Sequence, residues 1–286
     1  MIIKDFLPSA HLQEFIQCYR LVHFDFTKLS ETPVKLYPPK PENCLHFFIE
    51  GHIEIDKDDK RLVYKNPVLV GQQTLAFKRY NTKKIINFQI VFQSSAIYRL
   101  TGISSKEITN RYIDASCLFS KKVDLINEKL QEAQNIEDML FIANSFVFEL
   151  VLGSSVKANK LDELVNNLKR KDGKLSVDRM AKLTNLSNKQ FVRKFNESIG
   201  INPKTYTRIV RFNRAFNLKN RYPERDWLRI SLDCDYYDYQ HLVLDYKDFT
   251  GFTPTEFHLI ESKSPECLLG LASDIYKSRA ESMVFA

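Results

Sequence analysis

SNKQFVRKFNESIG, residues 187–200, reads as a short helix with both ends marked. Ser187 and Gln190 have the S-x-x-Q spacing of a capping box, in which each side chain satisfies an orphan backbone N–H. Gly200 supplies a left-handed residue to close the helix, and Pro203 follows shortly after it. Phe191, Phe195 and Ile199 recur every fourth residue and so form one buried stripe. Asn188, Lys189, Val192, Arg193 and Asn196 fall on another face, which is cationic and amide-bearing with one small apolar residue. That face suits a DNA major groove: Lys and Arg can reach guanine O6 and N7, Asn can pair with adenine, and Val can touch a thymine methyl. The plainer reading is the solvated side of an ordinary helix, so its surroundings must decide.

Just upstream, SVDRMAKLTNL (176–186) also reads as a helix, with Ser176 as N-cap and Asp178 in the first turn, where the helix dipole favours an acid. Val177, Met180 and Ala181 form its apolar side, with Leu183 as a further candidate. A tight turn through Thr184, Asn185 and Leu186 follows. Helix, short turn and basic second helix make a helix-turn-helix, and Asn185 can take the positive φ that such a turn needs.

The pattern returns 51 positions later. FVRKFNESIGINPKTY (191–206) lies over LVLDYKDFTGFTPTEF (242–257), so Phe191 matches Leu242, Phe195 matches Tyr246, Gly200 matches Gly251 and Pro203 matches Pro254. Thr253 and Glu256 form a second capping box, with Pro254 at the first helical position. Ile230–Cys234 stands where a second supporting helix belongs. Between the units, 203–220 reads as one longer helix. Tyr206, Ile209, Val210, Ala215 and Leu218 face inward, and Arg208, Arg211 and Arg214 offer cations to phosphate.

With these residues in hand, 160–262 resembles the DNA-binding domain of the AraC/XylS family of bacterial transcription regulators. The resemblance rests on the S-x-x-x-F-x-R-x-F run from Ser187, on Tyr206 and Arg211 of the linker helix, and on DYYDYQH (235–241) followed by TGFTP (250–254). It implies seven helices whose two recognition helices enter successive major grooves on one side of the duplex. It also implies that Arg211 is partly buried. The second unit departs from the family pattern. Asp235 stands where Gly is usual in the turn, Leu244 where a DNA-reaching Arg is usual, and Tyr239 where Gln is common. The second helix therefore offers Tyr239, Gln240 and Lys247 to DNA, and the first unit is expected to dominate.

Charge supports the same ranking. The 286 residues carry a net charge of +7. From Leu168 to Arg221 there are 15 Lys and Arg against 3 Asp and Glu, a net +12, whereas Tyr222 to Lys263 holds 4 against 9, a net −5. A positive field on one segment is the footprint of phosphate contact, and a negative one is repelled unless its acids point elsewhere.

Upstream of residue 153 the chain reads differently. Pro8–Gln17 suggests a short helix, and Thr32–Pro41, with four prolines, a loop. Strands are expected at Cys18–Phe26, Cys44–Glu50, His52–Asp56, Leu62–Tyr64, Val68–Val70, Thr74–Phe77 and Ile85–Phe92, with helices at Ala96–Leu100, Ser104–Asn110, Val123–Ala133 and Ile136–Leu152. The expected fold is α+β: a small, cupin-like β-barrel or sandwich (1–153), a linker (154–159), an all-α double helix-turn-helix domain (160–263) and a tail (264–286), with a helix from Glu266 to Lys277. Strand-rich domain first and DNA-binding domain last is also the usual order of the AraC/XylS family. IVFQSSAIYRLTGI (90–103) resembles N-terminal domains of members with no assigned ligand. The helix at 136–152 is apolar over more than half its circumference, which fits a core helix or a face for a second protomer.

Five scattered cysteines without a C-x-x-C pair argue against zinc and disulfides. His23, His46 and His52 lack an H-x-H pair, so no metal is expected. His241 and Asp245, one helical turn apart, suggest a structural hydrogen bond. None of the 8 glycines sits in a phosphate-cradling loop and no nucleophile elbow occurs, so neither a cofactor nor enzyme activity is expected. The opening stretch does not read as a secretory signal and no apolar run is long enough to span a membrane, which points to a cytoplasmic protein. The expected partners are double-stranded DNA, a small-molecule effector, a second copy through the N-terminal domain, and RNA polymerase. The alternative is a small-molecule-binding or enzymatic barrel whose helical domain mediates protein contacts.

Overall fold

The strand at 43–50 alternates Cys44, His46 and Phe48 with Leu45, Phe47 and Ile49, yet it is buried almost throughout. Such a strand must be covered on both faces. The computed structural model, which describes residues 2–57, 60–154, 156–170 and 175–271, shows what covers it. The strands are β1 (Ile2–Phe6), β2 (Ile16–Asp25), β3 (Lys35–Tyr37), β4 (Asn43–Glu50), β5 (Ile53–Lys57), β6 (Lys60–Tyr64), β7 (Val68–Val70), β8 (Phe77–Asn81), β9 (Lys84–Phe92) and β10 (Tyr112–Asp114). They form a six-stranded sheet in the order β1-β2-β9-β4-β7-β10 and a four-stranded sheet in the order β3-β8-β5-β6. All pairings are antiparallel.

One face of the large sheet presents Tyr19, Leu45, Phe47, Phe88, Ile90 and Phe92 to the helices α1 (Ala96–Thr101), α2 (Ser116–Phe119), α3 (Lys122–Glu132) and α4 (Ile136–Leu152). The other presents Val22, Phe24, Phe48 and Ile85 to Ile53 and Ile55 of the small sheet. The same face carries Arg20, Cys44, His46 and Gln89, which line an inter-sheet cavity of about 90 Å³. Period-two alternation thus puts apolar side chains under the helices and polar ones into the cavity.

Several sequence expectations are corrected here. Pro8–Gln17 yields only one 3-10 turn at Ala10–Leu12, because Ile16 already pairs with Phe92 in the sheet. Ser104–Asn110 is likewise a 3-10 turn, at Ser105–Glu107. Thr74–Ala76 is loop, and the strand expected there starts at Phe77, where pairing with Tyr37 begins. The proline-rich stretch contains β3 between its prolines, at an edge of the small sheet, where a missing N–H is tolerated.

The C-terminal helices are α5 (Lys160–Arg170), α6 (Val177–Leu183), α7 (Asn188–Ile199), α8 (Pro203–Arg221), α9 (Trp227–Asp233), α10 (Tyr239–Thr250), α11 (Pro254–Glu261) and the short α12 (Pro265–Leu268). The helix expected at 266–277 ends by Leu269 and Gly270, and its part beyond Leu271 lies outside the described residues. Phe191, Phe195, Ile199, Tyr206, Ile209, Phe212, Leu242, Tyr246 and Phe257 form one core that spans both repeats. Leu183 is not part of it and stands 53% exposed. No helix among the described residues is long and apolar enough to cross a membrane.

This helical part packs closely on the strand-rich part. Lys35 Nζ of β3 lies 2.6 Å from Glu261 Oε1 and 3.0 Å from Glu266 Oε2, and all three side chains are buried. The Tyr206 hydroxyl lies 2.8 Å from Ser94 Oγ.

Candidate nucleic-acid interface

Both helix-turn-helix units are built from the same local devices. Ser176 caps α6 by accepting from Arg179 N, and Asp226 caps α9 by accepting from Arg229 N. Asn185 turns the chain at φ 57°, and Asp235 does so at φ 62°. The next residue then donates back to the supporting helix, Leu186 N to Ala181 O and Tyr236 N to Ser231 O, each at 3.0 Å. Asp235 therefore does the work of the glycine usual at this place, since a short acidic side chain tolerates the left-handed region. The Ser187–Gln190 and Thr253–Glu256 capping boxes are both formed. Gly200 and Gly251 close α7 and α10 at φ 93° and 81°.

On α7, Phe191, Phe195 and Ile199 are buried, and Lys189 and Arg193 are exposed on the opposite side. Val192 and Asn196 are half-buried between these faces. Asn188 is exposed, but its Nδ2 donates to Asp178 on α6, so this amide is partly engaged. Asn196 lies at the far end of the face, in an open cleft shared with Lys106 and Thr74 of the strand-rich part. Lys106 is exposed there. Nothing local in the sequence announces it, because Lys106 and Asn196 are far apart in the chain.

On α10, Gln240 and Lys247 are exposed, Leu244 is 56% exposed, and Tyr239 packs partly against the core. Asp238 caps this helix, accepting from His241 N, and its Oδ1 also lies 2.9 Å from the His241 ring. The expected His241–Asp245 hydrogen bond is thus corrected: His241 turns back to the cap, and Asp245 turns inward.

Asp245 meets the linker helix. Arg208 Nε donates to its Oδ1 at 2.8 Å and Arg211 donates to its Oδ2 at 3.2 Å. Arg208 is also paired with Asp248, and Arg214 lies 3.7 Å from Asp235. Arg208 and Arg214, expected to present cations to phosphate, are paired with acids of the second unit while keeping 29% and 31% of their side chains exposed. The half-buried Arg211 is structural, stacked on Tyr236 at 4.2 Å from its ring centre. This resolves the charge imbalance. Asp233, Asp235, Asp245 and Asp248 pair with arginines, Asp226, Asp238 and Glu256 cap helices and Glu261 pairs with Lys35, while Arg179, Lys182, Lys189, Arg193 and Lys194 stand exposed on the first unit.

In the inter-sheet cavity, His46 Nδ1 donates to Asn87 Oδ1 at 2.9 Å. Burial and the nearby Arg79 guanidinium hold its pKa down to about 3, so the ring is neutral. Arg79 is buried with its Nε unpartnered, and its guanidinium lies over the Tyr37 ring. His23, His46 and His52 do not converge: His46 faces the cavity, while the His52 ring lies 3.5 Å from Glu54.

Residues 180–259 match a family model described as a helix-turn-helix domain, and residues 4–114 match one described as a domain of unknown function, DUF6597. The 180–259 segment is accordingly a helix-turn-helix domain. No curated protein matches the chain. Among solved structures the chain is similar to ToxT from Vibrio cholerae at 1.65 Å resolution, with 10% identity, a TM-score of 0.47, and coverage of 85% of this chain and 98% of that one. It is likewise similar to wild-type ToxT from Vibrio cholerae bound to an unsaturated fatty acid, with 9% identity, a TM-score of 0.47, and coverage of 85% and 95%.

Proposed function

We propose that this chain is a sequence-specific DNA-binding transcription regulator of the AraC/XylS type, in which the first helix-turn-helix unit supplies most of the affinity and the base reading. The observation that carries this is the exposed Lys189–Arg193 face of α7, one helical turn apart and without an ion pair to any of the described residues, in a unit whose turn and caps are fully formed. Asn196 and Val192 extend the same face, and Asn188 joins it if its bond to Asp178 is exchanged. Lys106 is a further candidate for phosphate contact. In the second unit Gln240, Lys247 and the Tyr239 hydroxyl remain for DNA, beside an apolar Leu244.

In this reading residues 1–153 form a sensing and dimerising domain, 154–159 a linker and 160–263 the DNA-binding domain, followed by the 264–286 tail. The inter-sheet cavity, with polar His46 and Gln89 and the unpartnered Arg79 Nε, is the seat for a small-molecule effector. Phe141, Phe148 and Leu152, exposed along one side of α4, are the face for a second copy. RNA polymerase is the remaining partner of a regulator bound at a promoter.

The test is a gel shift of the full chain on promoter DNA of its own gene, with and without heparin. A retarded complex that survives heparin is expected. Complete loss under heparin favours the second reading, in which the helical domain mediates protein contacts, a reading that the paired arginines of α8 make worth testing.

A further inference from the structure

The two repeats are held at the same atom. Shifted by 51 residues, Ser198 of α7 corresponds to Phe249 of α10. Each lies in the last turn of its helix, where carbonyls lack an intrahelical donor. Ser105 Oγ donates to Ser198 O at 2.7 Å, and Ala76 N donates to Phe249 O at 2.7 Å. Both donors come from the strand-rich part. The Thr109 hydroxyl adds a contact 3.1 Å from Gly200 O, sharing its one proton with Ser105 O.

The two donors also belong to one bracket. Asn110, at φ 56°, receives Thr74 N on its Oδ1 at 2.7 Å and gives its own N–H to Gln72 O at 2.9 Å. Gly71 N donates to Arg111 O at 3.1 Å, just where β7 and β10 pair. The 71–76 and 104–111 segments are thereby tied together on a sheet edge, and each grips one helix end. Lys189 and Arg193 of α7 and Gln240 of α10 lie nearer the other ends and stay exposed.

We propose that this bracket is a spacing gauge: the strand-rich part fixes the separation of α7 and α10 by holding the equivalent carbonyl of each, and so sets the half-site spacing that the full chain accepts. The gauge is argued from these hydrogen bonds, added to the core the two repeats share; its consequence for DNA rests on the DNA-binding reading above.

Gly200 and Gly251 provide a matched test. Alanine at either has the same left-handed strain. A Cβ at Gly251 meets nothing within 4 Å, whereas one at Gly200 would strike the Thr109 hydroxyl and stand 2.7 Å from Ser105 O. Gly200→Ala therefore breaks the bracket and Gly251→Ala does not.

The experiment is pulsed electron–electron spin resonance on the full chain carrying Cys117→Ser and Cys267→Ser, with spin labels at Lys194→Cys and His241→Cys. One narrow distance distribution is expected in the parent and in Gly251→Ala. A shifted and broadened one is expected in Gly200→Ala, and also in the Ser105→Ala, Ala76→Pro double variant. If that double variant does not fold, the glycine pair still decides. Identical narrow distributions in parent and Gly200→Ala would show that α8 alone sets the separation and would overturn the gauge. Footprinting of the same proteins reads the consequence on DNA, where the variants should lose the fixed spacing between protected half-sites. A parent that protects no DNA, while its distances still respond to Gly200→Ala, would refute the DNA-binding reading and leave the gauge intact.

Discussion

Asp245 Oδ1 lies 2.8 Å from Arg208 Nε, and this pair ties the second recognition helix to the linker helix. Asp245 is 3% exposed and Arg211 shares its other oxygen. A carboxylate in this position pairs with two arginines at once and offsets one of their two charges. Asp245→Ala should destabilise the fold by about 2–3 kcal/mol, less than the loss of a fully buried pair because the arginines keep some water. Urea unfolding checks this, and a change below about 0.5 kcal/mol would contradict it.

The same geometry reverses an expectation for DNA. A guanidinium already paired with carboxylates releases few counterions when a phosphate approaches. Arg208→Ala should leave the salt dependence of DNA affinity unchanged, whereas Lys106→Ala, at the proposed phosphate contact, should lower its slope by about one unit. Titrations at several salt concentrations distinguish the two; a lowered slope for Arg208→Ala would restore it as a phosphate contact.

His46 makes stability depend on pH. Its folded pKa of about 3 lies below the ordinary 6.5, so the unfolded chain takes up the proton first. The stabilisation is complete above pH 6.5 and is lost as pH falls toward 3. Between pH 6.5 and 5 the loss should be about 2 kcal/mol, and His46→Gln should remove this slope. An equally steep slope in His46→Gln would assign it to other groups.

Lys35 should change the sign of a second pH effect. Burial alone would raise the Glu266 carboxyl, and the adjacent Lys35 ammonium more than offsets this, holding it below its ordinary range. Its contribution is present above pH 4.5 and is lost as pH falls through the lowered value. In Lys35→Met burial is opposed only by a backbone hydrogen bond and the more weakly acting Arg79 guanidinium, so charging Glu266 becomes costly and stability falls as pH rises. The gap between the two proteins should widen from pH 4 to 6 and reach about 3–5 kcal/mol. A gap independent of pH would contradict the pairing.

What could be read in advance follows sequence distance. The helix at 188–199 was legible because its cap, its apolar stripe and its closing Gly200 lie within one stretch, and the repeat at 242–257 doubled the signal. The inward course of Asp245 was not legible. Its arginine partner is 37 residues away on another helix, and a count of net charge cannot tell a carboxylate facing solvent from one facing Arg208. Strand β3 hid between prolines, because its pairing with β8 is a contact between distant segments. Thr74–Phe77 resembled a strand by alternation, yet Thr74 and Ala76 spend their N–H groups on Asn110 and Phe249. Lys106 beside Asn196 follows only from the packing of the two parts.

In the proposed reading, Arg193 is the side chain on which base reading most depends. Arg193→Ala should cost about 1–3 kcal/mol and relax preference at about one base position. Binding-site selection with the variant reads this; recovery of the unchanged motif at unchanged affinity would exclude Arg193 from the groove.

The central claim, that the first unit reads DNA and the second mainly positions it, is tested most directly by footprinting the full chain on its operator and mutating that operator base by base. Changes under α7 should each cost about 1–3 kcal/mol, and changes about 10 base pairs away, under α10, clearly less. Equal penalties at both places would contradict the account and show that Tyr239, Gln240 and Leu244 read bases as fully as Lys189 and Arg193.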